Sequence, residues 1–587
     1  MKRITIAAVL FLYAHPLAQS DQQAPSEDAR LASHFKKFLD EELRHQPLEA
    51  TRLGDHRFDH LLDDLSGDAR AARLDRIKQA LAALPRDIDQ QRLSRDSSVD
   101  FNIFRDDLQR ELWLALNTRP HADDPRIYND YITESVYLLL TQSTLPLQDN
   151  LRNAAARMKQ IPRIIAAARA NLKNPPRVIL ETAISQNRGA ISFYEKDLFD
   201  LAGETPALGT LREEARKVAA ALRDHHKFLE ELLPNAKGEW RLGKEKFARK
   251  LELELNAGIT AKEVLKEAEA EAERVVAEMY VIARQLWHQV YPGEPLPADE
   301  ARGKQATIRK VLDKVSQEHG TVDELVRDAR AGADKIKDFI RTKDILRLPD
   351  PDRCKIIEMP EFQRGNSLAY LNPAPPLDAK AASYYAVSPP PRGWAPKRVA
   401  SLLQEYNRHM LQILTIHEAY PGHYVQLEYA NRHPSLIRRV LFSGVFAEGW
   451  AVYTEQMMLD QGYGNGDLKL RLNQLKFYLR AVVNAILDHR MHCGTMTDEE
   501  ALALLVTFAF QSEAEAILKI IRAKQSSCQL STYFVGRMAF VRLRRRIQNE
   551  LGAGFNLGRY HEAVLAHGTL PVRYLPDLVT ERLKRSR

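Results

Sequence analysis

Three observations predict a mainly α, large multi-helix body carrying one small β element. Hydrophobic residues recur at spacings of three and four along most of the 587-residue chain, and sustained alternation is nearly absent. Helix starts of the form Thr-x-x-Glu recur at Thr260–Glu263, Thr321–Glu324 and Thr497–Glu500. Prolines and short β-rich runs cluster together in one stretch, 346–396. A composition of 44% hydrophobic and 28% charged residues suits a folded soluble protein and excludes a disordered, collagen-like or disulfide-scaffold chain. The formal charge of +7 is modest, with both signs mixed throughout, so no nucleic-acid partner is expected.

The elements follow in order. Residues 1–20 read as a secretory signal: Lys2 and Arg3, an apolar run from Ile4 to Ala14, and an Ala18-Gln19-Ser20 exit. The run is too short to span a bilayer, for which about 20 apolar residues are needed. No cysteine follows it, so a lipoprotein anchor is not indicated. Export to a bacterial periplasm is the expectation, with no membrane association once the signal is removed. Residues 21–346 read as an N-terminal helical region, without a tandem repeat of fixed length. Within 347–587, a small sheet or hairpin is predicted from runs at Lys355–Met359, Ser367–Leu371 and Ser383–Val387. Helices resume at Lys397, and Gly462 to Gly466 is read as a plain turn. A cleft is expected between the two helical halves. The region from 347 onward is expected to form one continuous unit with the helices before it. Cys354, Cys493 and Cys528 have no close spacing, which disfavours a thiolate zinc site; a Cys493–Cys528 bridge is left open.

The most informative stretch is Ile416-His417-Glu418-Ala419-Tyr420-Pro421-Gly422-His423-Tyr424. Apolar positions Val399, Leu402, Leu403, Tyr406, Met410 and Ile413 predict a helix whose stripe, continued by four, lands on His417. A buried histidine beside Glu418 is costly unless something pairs with it. Zinc hydrolases place two histidines four apart on one helix, where they lie about 40° from each other. Here the spacing is six, which on a regular helix puts them roughly 120° and about 9 Å apart. A single metal is reachable only if the helix breaks between them, and Pro421 and Gly422 are the residues that break helices. Downstream, Glu448 and Glu455 stand seven apart, within roughly 20° on a helix. One would serve as the third ligand and the other would orient a histidine from behind. Gly449 would let that helix approach closely. The alternative reading is two satisfied core histidines and a buried ion pair.

These segments resemble the DUF885 family, whose members are secreted or periplasmic bacterial proteins similar to gluzincin-type zinc metallopeptidases. The likeness rests on His-Glu-Ala-Tyr-Pro-Gly-His-Tyr at 417–424 and Glu-Gly-Trp-Ala-Val-Tyr-Thr-Glu at 448–455. It extends to Arg480-Ala-Val-Val, Asp488-x-x-x-His492, Ser531-Thr-Tyr-Phe-Val-Gly536 and the opening Thr51-Arg-Leu-Gly-Asp-His-Arg-Phe-Asp59. One departure is that Cys493 to Thr497 lack the tryptophan associated with that place. The resemblance implies that His417, His423 and Glu448 hold one Zn(2+) per chain, with Glu455 behind them. It implies Glu418 as general base and Tyr533 as the second electrophile. Arg480 and His492 would bind a substrate carboxylate or the oxyanion. By analogy, Ser367–Leu371 or Ser383–Val387 would be an edge strand pairing with an extended peptide.

The function expected on these grounds is a secreted zinc-dependent metallopeptidase acting on short or unfolded peptides. Two alternatives use the same scaffold: a metal hydrolase of a non-peptide amide or ester, and an inactive exported peptide-binding protein. Glu418 argues against the last, because a binder needs the ligands but not the base. No Gly-x-Ser-x-Gly elbow or Walker-type loop is present, which disfavours serine-hydrolase and nucleotide chemistry.

Overall fold

The computed structural model of the chain describes residues 25–359, 369–391 and 393–585. The signal segment and the first two residues of the Ser367–Leu371 strand lie outside the described residues. The fold is mainly α with one small sheet. The helices that build the site are labelled α1 to α8 in chain order.

Thr260 caps the first of these, α1 (Ala261–Val290), reciprocally with Glu263. The buried stripe Val264, Ala268, Ala272, Val275, Met279 and Leu286 packs α1 into the core. Thr321 and Glu324 form the same box before α2 (Leu325–Thr342). The sheet follows, with β1 (Cys354–Glu358), β2 (Ala369–Asn372) and β3 (Ser383–Val387). Its order is β1-β3-β2, parallel between β1 and β3 and antiparallel between β3 and β2. Pro373, Pro375 and Pro376 follow β2, and Pro389 to Pro391 follow β3. Lacking an N–H, prolines end these strands rather than interrupt them.

The helix expected to lead into His417 is two helices. One spans Pro396–Glu405, and α3 spans Arg408–Glu418. Asn407 stands between them, its Oδ1 accepting the backbone N–H of His409 (3.1 Å) and Met410 (3.0 Å). An asparagine that caps so well starts a new helix where apolar spacing alone suggested continuity. The remaining site helices are α4 (His423–Asn431), α5 (Gly444–Asp460), α6 (Leu468–Cys493), α7 (Glu513–Gln525) and α8 (Thr532–Leu551).

The interior forms two cores. The larger joins the first helix, Glu27–His45, and helices α1 and α2 to every site helix from α3 onward. Residues on both sides of Leu346 share this core. The second core is built from residues between Tyr128 and Leu229, on helices from Arg126–Thr141 to Leu208–Leu232, together with Leu48 and Leu62. The Thr51–Asp59 segment clamps the sheet region. His56 contacts Asp378 beyond β2 (3.3 Å), Leu377 N–H donates to Leu53 (2.8 Å), and Gly54 lies against Asp378 with φ +83°. A side chain at Gly54 would be strained by its backbone and would strike Asp378. Behind that clamp the buried Arg157 donates to Thr51, which donates to Asp59. The three cysteines are free thiols.

Candidate metal centre

The chain breaks where the sequence has Pro421 and Gly422. Helix α3 ends at Glu418, the Tyr420–Pro421 peptide is cis, and α4 starts at His423. Gly422 turns back onto the end of α3, donating to the carbonyl of Ile416 (3.0 Å). A Cβ there would stand 1.9 Å from the carbonyl oxygen of His417, so only glycine fits. The turn is pinned from outside by Trp450, whose Nε1–H donates to the Pro421 carbonyl at 2.8 Å. Tyr420 donates to Asp352 (2.8 Å), just before β1.

This break brings the two imidazoles together, with ring centroids 4.7 Å apart and planes nearly perpendicular. Glu448 of α5 completes the group. One of its oxygens, Oε2, lies 3.7 Å from His417 Nε2 and 3.4 Å from His423 Nε2. Donor atoms of the three residues lie within 4.8 Å of one another. Neighbouring ligands around a tetrahedral zinc, at about 2.0–2.1 Å each, stand about 3.3–3.5 Å apart. Glu448 Oε2 is also buried without a hydrogen-bond partner among the described residues. A buried carboxylate oxygen left this way is costly, and a cation would satisfy it. The donor set therefore fits a divalent metal such as zinc. His417 is buried, while the side chains of His423 and Glu448 keep 13% and 23% of their exposure, so the group is open on one side.

Glu455 stands one helical repeat behind Glu448, wholly buried, and holds His417 Nδ1 at 2.7 Å. That bond directs Nε2 towards Glu448. Burial raises the pKa of Glu448, but His417 and His423 outweigh it and hold the carboxyl well below the usual range. Burial pushes Glu455 up, offset in part by His417. Glu418, last residue of α3, is half-buried, and its carboxylate receives no hydrogen bond from any described residue.

Tyr533 is the second residue of α8, and Arg522 and Gln529 donate to its hydroxyl at 3.3 and 3.4 Å. Burial and the charge of Glu448 raise its pKa, so the phenol keeps its proton beside the cluster. Gly449 and Gly536 set this distance between helices. A Cβ on Gly536 would meet the Val445 carbonyl oxygen at 2.0 Å, and one on Gly449 would meet the Gly536 backbone at 2.3 Å. Asp488 joins two quoted motifs, accepting the Ser531 hydroxyl (2.8 Å) and the Cys528 N–H (3.1 Å) just before α8.

Arg480 is partnered inside the protein, 2.5 Å from Glu515 and 3.6 Å from Glu405, and lies over the Phe477 ring. Phe477 in turn meets the His417 ring edge-on. His492 is a correction. Its Nε2 lies at 3.0 Å from the Ala523 carbonyl and 2.9 Å from that of Ser526, and its ring packs against Phe247 and Trp240. Its donor is spent closing the end of α7, so it is a structural histidine. Of the two expected edge strands, β3 is central and paired on both sides, which excludes it as a docking edge. Among the described residues β2 keeps an unpaired side. Tyr370 and Asn372 of β2 line a cavity of about 370 Å³ with Tyr137 and Gln142, and no cluster residue belongs to it.

Trp450 and Phe477 are positioning residues that the sequence reading passed over. Trp450 lay inside a quoted motif, and a buried indole N–H must find an acceptor. Phe477 gives no signal apart from its place on an apolar helix face.

Fold and site together define a mainly α protein carrying a two-histidine, one-glutamate cluster. The chain belongs to the family described as bacterial proteins of unknown function, DUF885, which it matches over residues 47–579. A protein from Shewanella oneidensis, described as a candidate lipoprotein of unknown function, is 32% identical, with a TM-score of 0.80 over 95% of this chain and 100% of its own. A candidate lipoprotein from Colwellia psychrerythraea shares the fold at 17% identity, with a TM-score of 0.78 over 96% of this chain and 100% of its own. No curated protein matches. Among the described residues no helix is long and apolar enough to cross a membrane.

Proposed function

We propose that this chain is an exported zinc-dependent peptidase acting on short or unfolded peptides. The observation that carries the reading is the convergence of His417, His423 and Glu448 within 4.8 Å across a helix break. His417, His423 and Glu448 would hold the metal, which when bound polarises a carbonyl and acidifies a water. Glu418 follows directly on His417, and with no donor of the described residues upon it, it is free to accept the proton of an attacking water. Tyr533, which keeps its phenolic proton, donates a hydrogen bond to the developing oxyanion. Glu455 keeps His417 in the required tautomer. Export is supported by the signal-like N-terminus and by similarity to proteins described as candidate lipoproteins.

The test is turnover of a mixed peptide library by the mature chain and by Glu418→Gln, both at equal metal content. Cleavage by the wild type, lost in the variant, is expected. Equal cleavage by both would remove Glu418 as base, and hydrolysis of esters or non-peptide amides alone would redirect the substrate class.

A further inference from the structure

Lys519 on α7 is nine-tenths buried, yet it has no hydrogen bond or ion pair among the described residues. Its charged neighbours are mostly cations, Arg480 on α6 and Arg522 on its own helix. One acid, Glu515, faces it; its Oε1 is taken by Arg480 at 2.5 Å, and its Oε2 is buried with no hydrogen-bond partner among the described residues. Glu405, the next acid, is shared by Lys476 (3.0 Å) and Arg480 (3.6 Å). Arg522 is exposed and donates only to the neutral Gln529 and Tyr533. An ammonium on a mostly buried side chain beside an arginine is unfavourable unless an anion arrives to compensate it. Burial first, then Arg480 and Arg522, lower its pKa.

The cluster adjoins the candidate metal centre at both ends. On one side Arg480 lies 5.3 Å from the Phe477 ring, and Phe477 lies 5.7 Å from the His417 ring. On the other, Arg522 reaches the Tyr533 hydroxyl, and Tyr533 feels the charge of Glu448. Two steps of this size are spanned by one to three residues of extended peptide, at about 3.3–3.6 Å each. Resting on the peptidase reading above, we infer that Lys519, with Arg480 and Arg522, receives the terminal carboxylate of a peptide substrate, making the enzyme a carboxy-terminal exopeptidase. An acidic side chain offers the same carboxylate chemistry, and the experiment separates the two.

The experiment measures binding to the zinc-loaded Glu418→Gln variant, with metal content assayed on the same batch. The probes are mixed pools of N-acetylated tripeptides, ending either in a free carboxylate or in a carboxamide. A third pool is amidated and carries one internal aspartate. At least tenfold tighter binding of the free-carboxylate pool is expected, and adding Lys519→Met should abolish the difference. Lys519→Arg keeps the charge and should restore part of it. Unfolding midpoint and zinc content of each variant separate lost recognition from lost folding. Preference for the aspartate pool, equal binding of all pools, or no binding would overturn the inference while a loaded metal site left the peptidase reading standing. A variant that takes up no zinc would instead fail the peptidase reading, whatever the pools do.

Discussion

Gly536 presses against Gly449 so closely that a Cβ on it would lie 2.6 Å from the Gly449 Cα. The contact joins the helix carrying Glu448 to the helix carrying Tyr533, which stands three residues, roughly one turn, before Gly536. Two positions without side chains thus set how near the phenol stands to the Glu448 carboxylate.

Gly536→Ala should therefore act on stability and site geometry together. Backbone cannot yield as a flexible side chain does, so the cost should be about 1–3 kcal/mol or more. Chemical denaturation reads it, and an unchanged midpoint would show that the helices separate freely.

Glu455→Gln should weaken metal binding without emptying the site of ligands. The amide still contacts His417 Nδ1 but no longer fixes the tautomer or raises the basicity of the ring. Loss of such a supporting carboxylate typically costs about 10- to 100-fold in affinity. Competition with a chelating dye gives the number, and wild-type affinity would remove Glu455 from the account.

Trp450→Phe should leave the Pro421 carbonyl unsatisfied inside the protein, at a cost of about 1–3 kcal/mol. Because this bond pins the break between the two histidines, zinc affinity should fall as well. A loss of stability with unchanged affinity would mean that the break holds its shape unaided.

Burial pushes the Asp488 carboxyl up to about 6, against hydrogen bonds from Ser531 and Cys528. The ordinary value is 3.8, so between 3.8 and about 6 the folded chain binds more protons than the unfolded one. Stability from this group is then present at low pH and lost as pH rises through that window. Asp488→Asn should gain on the wild type between pH 4 and pH 7 by about 1–3 kcal/mol. A stability difference that stays constant over this range would contradict the assignment.

Much of this was legible because local chemistry decided it. Thr260 with Glu263 marks a helix start whatever the tertiary structure, and Pro421-Gly422 cannot continue a helix. The spacing of His417 and His423 then had one reconcilable geometry. Less was legible where partners are distant in sequence. Which strand of the sheet is central depends on β1 pairing in parallel with β3, across the whole of β2. His492 read as a functional histidine because its acceptors, the Ala523 and Ser526 carbonyls, are more than thirty residues away. Nothing in the local sequence of Lys519 announces that α7 turns it inward.

The central claim is tested most directly by elemental analysis of the mature, tag-free chain beside His417→Ala. About one zinc per chain, lost in the variant, is the expected result. A wild-type chain holding no metal, even after dialysis against zinc, would contradict the account and leave His417, His423 and Glu448 as a buried polar cluster.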